Sequence, residues 1–86
     1  MMILRVPKTG GMTTTKVNVV RWLKREGDPI ARGEPVVELE TEKVNYELDS
    51  PAEGVLLKIV AGESSVVLVG EALCHIREPH DAAQES

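Results

Sequence analysis

Val44-Asn45-Tyr46-Glu47-Leu48-Asp49 alternates apolar and polar residues without a break. Strand side chains point to opposite faces in turn, so Val44, Tyr46 and Leu48 share one face and Asn45, Glu47 and Asp49 the other. This is the pattern of a half-buried strand. Just ahead of it lies another apolar run, Val36–Glu40, and only Thr41-Glu42-Lys43 separates the two. So short a link predicts a tight hairpin with Glu42 and Lys43 at its tip. It contains no Asn-Gly or Gly-Gly, so a type I turn is expected rather than a primed one.

Working outward, further short apolar runs are each closed by Gly, Pro or a polar pair: Ile3–Val6, Val17–Leu23, Val55–Ala61, Val66–Val69 and Ala72–Arg77. Lys16–Glu26 can be drawn as an amphipathic helix, but Val17, Val19 and Val20 favour a strand. With seven Gly and five Pro, and with Trp22 and Tyr46 the sole aromatics, the core must be built from Val, Leu and Ile. Many short strands at regular turn spacing predict an all-β sandwich or barrel. A repeat points the same way. Gly33-Glu34-Pro35-Val36-Val37-Glu38-Leu39 returns 37 residues later as Gly70-Glu71-Ala72-Leu73-Cys74-His75-Ile76. A Gly-acid pair precedes each block: Gly27-Asp28 six residues before its glycine, Gly62-Glu63 eight before. The expectation is two similar sheets, the second half carrying two extra residues around Ser64–Val66. From Glu78 to Ser86 the chain is polar and reads as a flexible tail or the start of a linker, leaving residues 1–77 as the domain.

Eighty-six residues fit one small domain, 42% hydrophobic and 28% charged, with a net charge of −4. That balance disfavours nucleic acid and anionic membrane, both of which ask for a basic surface. No run approaches the ~18 apolar residues of a membrane span, and no signal-peptide pattern opens the chain, so a cytoplasmic protein is expected. A lone Cys74 excludes a disulfide framework, and His75 and His80 lack metal-ligand spacing. The crowded carboxylates of Glu38, Glu40, Glu42, Glu47, Asp49 and Glu53 have no enclosing pocket for hydrolysis. They read either as a solvated face or as an acidic collar around Lys43.

One pattern singles out Lys43: Gly33 and Gly54 flank it at nearly even spacing, nine residues on one side and ten on the other. With Glu40-Thr41-Glu42-Lys43-Val44 and Ser50-Pro51-Ala52-Glu53-Gly54, this resembles the lipoyl domain of 2-oxo acid dehydrogenase complexes. There the signature is Glu-Thr-Asp-Lys-Ala/Val, then Ser-Pro and Gly. Val6-Pro7-Lys8, Gly11-Met12-Thr13 and Val20–Ile30 extend the resemblance, closest to the acyltransferase-type domains, over residues 3–77. It implies a flattened barrel or sandwich of two four-stranded antiparallel sheets related by a pseudo-twofold axis. Gly27, Gly33, Gly54 and Gly70 would be its turn framework. It further implies lipoic acid in amide linkage on Lys43, with Glu42 and Val44 flanking.

The implied role is a monomeric, non-catalytic carrier. Its implied partners are a thiamine-diphosphate-dependent 2-oxo acid or acetoin dehydrogenase, an acyltransferase core, dihydrolipoyl dehydrogenase, and a lipoate ligase or lipoyl transferase. Thr13 and Lys16, in the Lys8–Val17 loop, and Glu40 are the implied partner contacts. Three departures stand out: Glu42 replaces the commoner Asp, Lys16-Val17 replaces an acidic residue and a Gly, and the second half has its extra residues near Ser64. A biotinyl carrier, whose lysine sits in Met-Lys-Met, and an unmodified adaptor barrel remain the alternatives.

Overall fold

A computed structural model gives the architecture and describes residues 1–8, 16–42 and 44–84. In chain order the strands are β1 Met2–Arg5, β2 Lys16–Trp22, β3 Pro29–Ile30, β4 Pro35–Glu40, β5 Asn45–Asp49, β6 Gly54–Ile59, β7 Val66–Leu68 and β8 Ala72–Arg77. A helix, α1 Pro79–Gln84, comes last. The seven stretches expected as strands are all strands, their ends moved by one or two residues. The eighth, β3, is two residues at a sheet edge and opens with Pro29, too short to leave an alternation. Segment 78–86, expected as a flexible tail or linker, holds α1. Pro79 fits the first helical position, where a missing N–H is no loss. The Asp81 carboxylate turns back to accept the Glu78 N–H at 3.0 Å and pairs with the Met1 amino group.

All strand pairs are antiparallel. They make two four-stranded sheets, β1-β8-β6-β3 and β5-β4-β2-β7. No ladder joins the sheets among the described residues, so the fold is a sandwich and the expected barrel is not closed. Val17, Val19, Val36, Leu39, Leu56, Leu73 and Ile76 fill the space between. Each such side chain contributes about 1.5–3 kcal/mol when fully buried, so a core without Phe is assembled from many small increments. Strands β4 and β8 bury the same three positions of six: Val36, Val37 and Leu39 in one, Leu73, Cys74 and Ile76 in the other.

The repeat runs deeper than the sequence blocks. Replacing β1, β8, β6 and β3 by β5, β4, β2 and β7 turns one sheet into the other. A register break between Val19 and Arg21 against β4 recurs between Leu56 and Lys58 against β8. The turns correct the expected alignment. Gly27 donates its N–H to the Leu56 carbonyl at 2.7 Å, and Ser64, not Gly62, makes the matching bond to Val19 at 2.8 Å. Gly27 and Ser64 both have positive φ, 95° and 71°. The Glu26 carboxylate accepts the Ile59 N–H at 2.8 Å, and the Glu63 carboxylate accepts the Trp22 N–H at 3.0 Å. Each pair is again 37 residues apart. The offset is constant, and the second half has no extra residues near Ser64.

Candidate attachment site

Strands β4 and β5 pair from Pro35↔Asp49 to Glu40↔Asn45 and so bring Thr41 and Val44 together at the end of the ladder. Thr41 holds Val44 three times. Its N–H donates to the Val44 carbonyl at 2.8 Å, its hydroxyl donates to the same carbonyl at 3.1 Å, and the hydroxyl oxygen accepts the Val44 N–H at 3.2 Å. Between the two lie Glu42 and Lys43. Glu42 is exposed and Val44 is 59% exposed. Lys43 and Thr13 lie outside the described residues.

Beside the hairpin is a shallow polar hollow of about 540 Å³ lined by Lys16, Asn18, Glu40, Thr41, Glu42 and Val66. Of the residues expected to meet a partner, Lys16 and Glu40 thus share one surface with Glu42. The glycine framework is spread through the fold. Gly33 and Gly70 lead into β4 and β8, donating their N–H groups to the Ser50 and Val6 carbonyls at 2.7 and 2.9 Å. Gly54 lies where β6 passes β8, and a Cβ there would stand 2.2 Å from the Arg77 carbonyl oxygen.

The carboxylates divide into three groups. Glu38 accepts Arg21 Nε at 2.8 Å and Asn45 Nδ2 at 3.5 Å, and Glu40 accepts Asn18 Nδ2 at 3.2 Å. These two are fixed in cross-strand pairs. Glu42, Glu47 and Asp49 are carried on the same hairpin, the first two exposed and Asp49 exposed at its base. Glu53 belongs elsewhere, beside Pro29, Gly54 and Arg77. The fold's internal symmetry supplies a control. The positions equivalent to Glu38, Glu40, Glu47 and Asp49 in the other sheet are His75, Arg77, Ile3 and Arg5. Acidity is therefore a property of the sheet that carries the β4–β5 hairpin, not of this strand geometry.

Sequence reasoning missed Thr41. The signal was available: a Thr just before a two-residue link, whose hydroxyl can close the turn on the backbone. Cys74 is fully buried, and burial pushes its thiol up to about 12.

Comparison with known proteins sets this geometry in a family. The family model described as "Biotin-requiring enzyme" (biotin/lipoyl) matches residues 3–76. The chain belongs to the biotin/lipoyl family. It is 47% identical over 66 residues to the dihydrolipoyllysine-residue acetyltransferase component of the pyruvate dehydrogenase complex of Mycobacterium bovis, covering 77% of this chain and 12% of that protein. To the succinyltransferase component of the 2-oxoglutarate dehydrogenase complex of Rickettsia bellii it is 37% identical over 76 residues, 88% of this chain and 19% of that protein. This biotin/lipoyl chain thus spans only a small part of the length of these relatives. The lipoyl domain of the 2-oxoglutarate dehydrogenase complex from Azotobacter vinelandii superposes with a TM-score of 0.72 at 34% identity, covering 90% of this chain and 98% of that one. The carrier role of a lipoyl domain fits the sandwich and its exposed, Thr-closed hairpin, and lipoic acid on a lysine is the cofactor of that domain type.

Proposed function

We propose that Lys43 is the attachment lysine and carries lipoic acid in amide linkage. The observation that carries this reading is the Thr41–Val44 closure, which makes Glu42 and Lys43 the two connecting residues of a hairpin flanked by exposed side chains. Such a site suits a group displayed to other proteins rather than one enclosed in a pocket. When bound, lipoate supplies a dithiolane that takes up acyl groups and reducing equivalents. The chain's part is to hold the attachment point on two rigid strands and to present a surface beside it. A tethered group reaches several active sites at high effective concentration. In this reading residues 1–77 are the carrier unit and contribute no catalytic residue.

The partners proposed are a thiamine-diphosphate-dependent 2-oxo acid or acetoin dehydrogenase, an acyltransferase core, dihydrolipoyl dehydrogenase, and a lipoate ligase or transferase, all in the cytoplasm. The confinement of Glu38, Glu40, Glu47 and Asp49 to the hairpin's sheet supports a basic docking surface on at least one of them. Thr13, Lys16 and Glu40 are the proposed contacts.

The test is incubation of the 86-residue chain with lipoate ligase, ATP and lipoate, followed by peptide mass mapping. A single lipoyl adduct on Lys43, absent from Lys43→Gln, is expected. An adduct on Lys8, Lys16, Lys24 or Lys58, or none, overturns the reading. A parallel incubation with biotin and a biotin ligase decides against the biotinyl alternative if Lys43 stays unmodified.

A further inference from the structure

We propose that Thr41 is the positioning residue for attachment at Lys43, acting through its hydroxyl. This rests on the reading of Lys43 as the attachment lysine. In an ordinary two-residue hairpin the backbone closes the turn, with the N–H after the turn returning to the carbonyl before it. Here the Val44 N–H reaches the Thr41 hydroxyl oxygen at 3.2 Å, and the same hydroxyl donates to the Val44 carbonyl at 3.1 Å. One side chain thus binds both polar groups of Val44, while the Thr41 N–H adds the backbone bond at 2.8 Å. The clasp belongs to the β4–β5 hairpin, which has no equivalent at the matching strand end of the other half, where β8 runs into α1. In the other half Glu78 follows β8 as Thr41 follows β4, but Glu78 is tied to Asp81 of α1, its N–H donating to Asp81 Oδ2 and its carbonyl accepting the Asp81 N–H, both at 3.0 Å. That end of the fold leads into α1 and bears no lysine.

The chemistry explains why the turn's geometry matters. During attachment the Lys43 ε-amine forms a C–N bond to the ATP-activated carboxyl carbon. The bond from that carbon to its phosphate oxygen breaks, AMP leaves with the electron pair, and an amine proton passes to solvent. A ligase must place that amine in line with the carboxyl. Small misplacement of a reacting group is paid for in kcat more than in binding. The neighbouring Glu42 and Val44 are exposed, and the Thr41 hydroxyl meets both polar groups of Val44 across the turn. A hydrogen bond contributes about 0.5–1.5 kcal/mol net, which sets the expected scale at about three- to tenfold in rate.

The experiment compares Thr41→Val, Thr41→Ser and wild type in the 86-residue chain. Ligase kcat and KM are measured at a temperature where all three are folded, and exchange of the Val44 amide is followed by NMR. Thr41→Val is expected to lower kcat about three- to tenfold with little change in KM. It should also speed Val44 exchange while leaving the Leu39 and Tyr46 amides protected. Thr41→Ser, which keeps the hydroxyl, should restore both. Wild-type kinetics in Thr41→Val overturns the inference, as does failure of Thr41→Ser to restore them. A wild-type chain that takes lipoate at another lysine overturns the attachment reading itself and is told apart by its mass map.

Discussion

Gly27 and Ser64 occupy the same left-handed turn in the two halves of the sandwich, 37 residues apart, one without a Cβ and one with it. Both N–H groups donate across to the opposite sheet, to Leu56 and Val19. An L-residue with positive φ crowds its Cβ against the neighbouring carbonyl, a strain of about 1 kcal/mol that glycine avoids. Ser64→Gly should therefore stabilise the domain by about 0.5–1 kcal/mol, raising the melting temperature by about 2–8 °C for a domain of this size. Gly27→Ala should lower stability by about 1 kcal/mol or more. Thermal unfolding followed by circular dichroism checks both, and a less stable Ser64→Gly would refute the strain argument.

Gly54 answers to a different constraint. Its counterpart in the other sheet is Val17, a buried core residue, so strand geometry alone does not demand glycine. The demand comes from the Arg77 carbonyl oxygen, 2.2 Å from where a Cβ would sit, and backbone cannot swing aside as a side chain can. Gly54→Ala should cost about 3 kcal/mol or more, beyond ordinary overpacking. The urea midpoint is the measurement. A loss under about 1 kcal/mol would mean that β6 and β8 can separate cheaply.

These cases show which parts of the structure the residues announced. Alternation in β5 and the Gly-Glu blocks before β4 and β8 are strong because each rests on burial repeated over several positions. The two-residue β3 and the single turn and a half of α1 are too short to show a period. Aligning the Gly-acid pair Gly62-Glu63 with Gly27-Asp28 shifts the repeat's phase by two residues. Ser64 holds the left-handed turn instead, drawn into it by the Val19 ladder bond, a non-local contact with no local signature. At the site, the short link between β4 and β5 is legible. The Thr41 clasp is not, since a hydroxyl's choice between solvent and the Val44 backbone is decided only when the strands meet.

Stability should also carry the mark of Lys24 and Glu34, paired at 2.7 Å. The Lys24 ammonium, with help from the Ala31 N–H, holds the Glu34 carboxyl below its ordinary 4.5. A carboxyl with a depressed folded-state value stabilises the fold above its unfolded value, and that contribution fades as the pH falls through the folded value. Lys24→Met should thus be less stable than wild type at pH 7, by a modest margin for a partly exposed pair. The gap should close as the pH is stepped down below 4.5. Urea midpoints of both chains across that range are the check. A gap independent of pH would assign the loss to the lysine's methylenes instead of its charge.

Cys74 faces the core from β8, at the position that Val37 holds in β4, and both are fully buried. Burial pushes its thiol up to about 12, so at neutral pH the reactive thiolate is scarce as well as inaccessible. For a chain read as carrying a dithiolane this has a chemical consequence. Thiolate attack on a disulfide is the general route of exchange, and an exposed cysteine would open the bound ring or form mixed disulfides with other copies. Packing Cys74 as a small apolar residue removes that reaction. Two results should follow. Native protein at pH 8 should react with an aromatic disulfide reagent only as fast as it unfolds, and one thiol should appear at once in denaturant. Cys74→Val, which copies the other half of the repeat and nearly conserves volume, should change stability by less than about 1.5 kcal/mol and leave attachment at Lys43 untouched. Rapid labelling of the native chain would show that β8 opens on its own, and the thiol would then be a hazard the fold does not control.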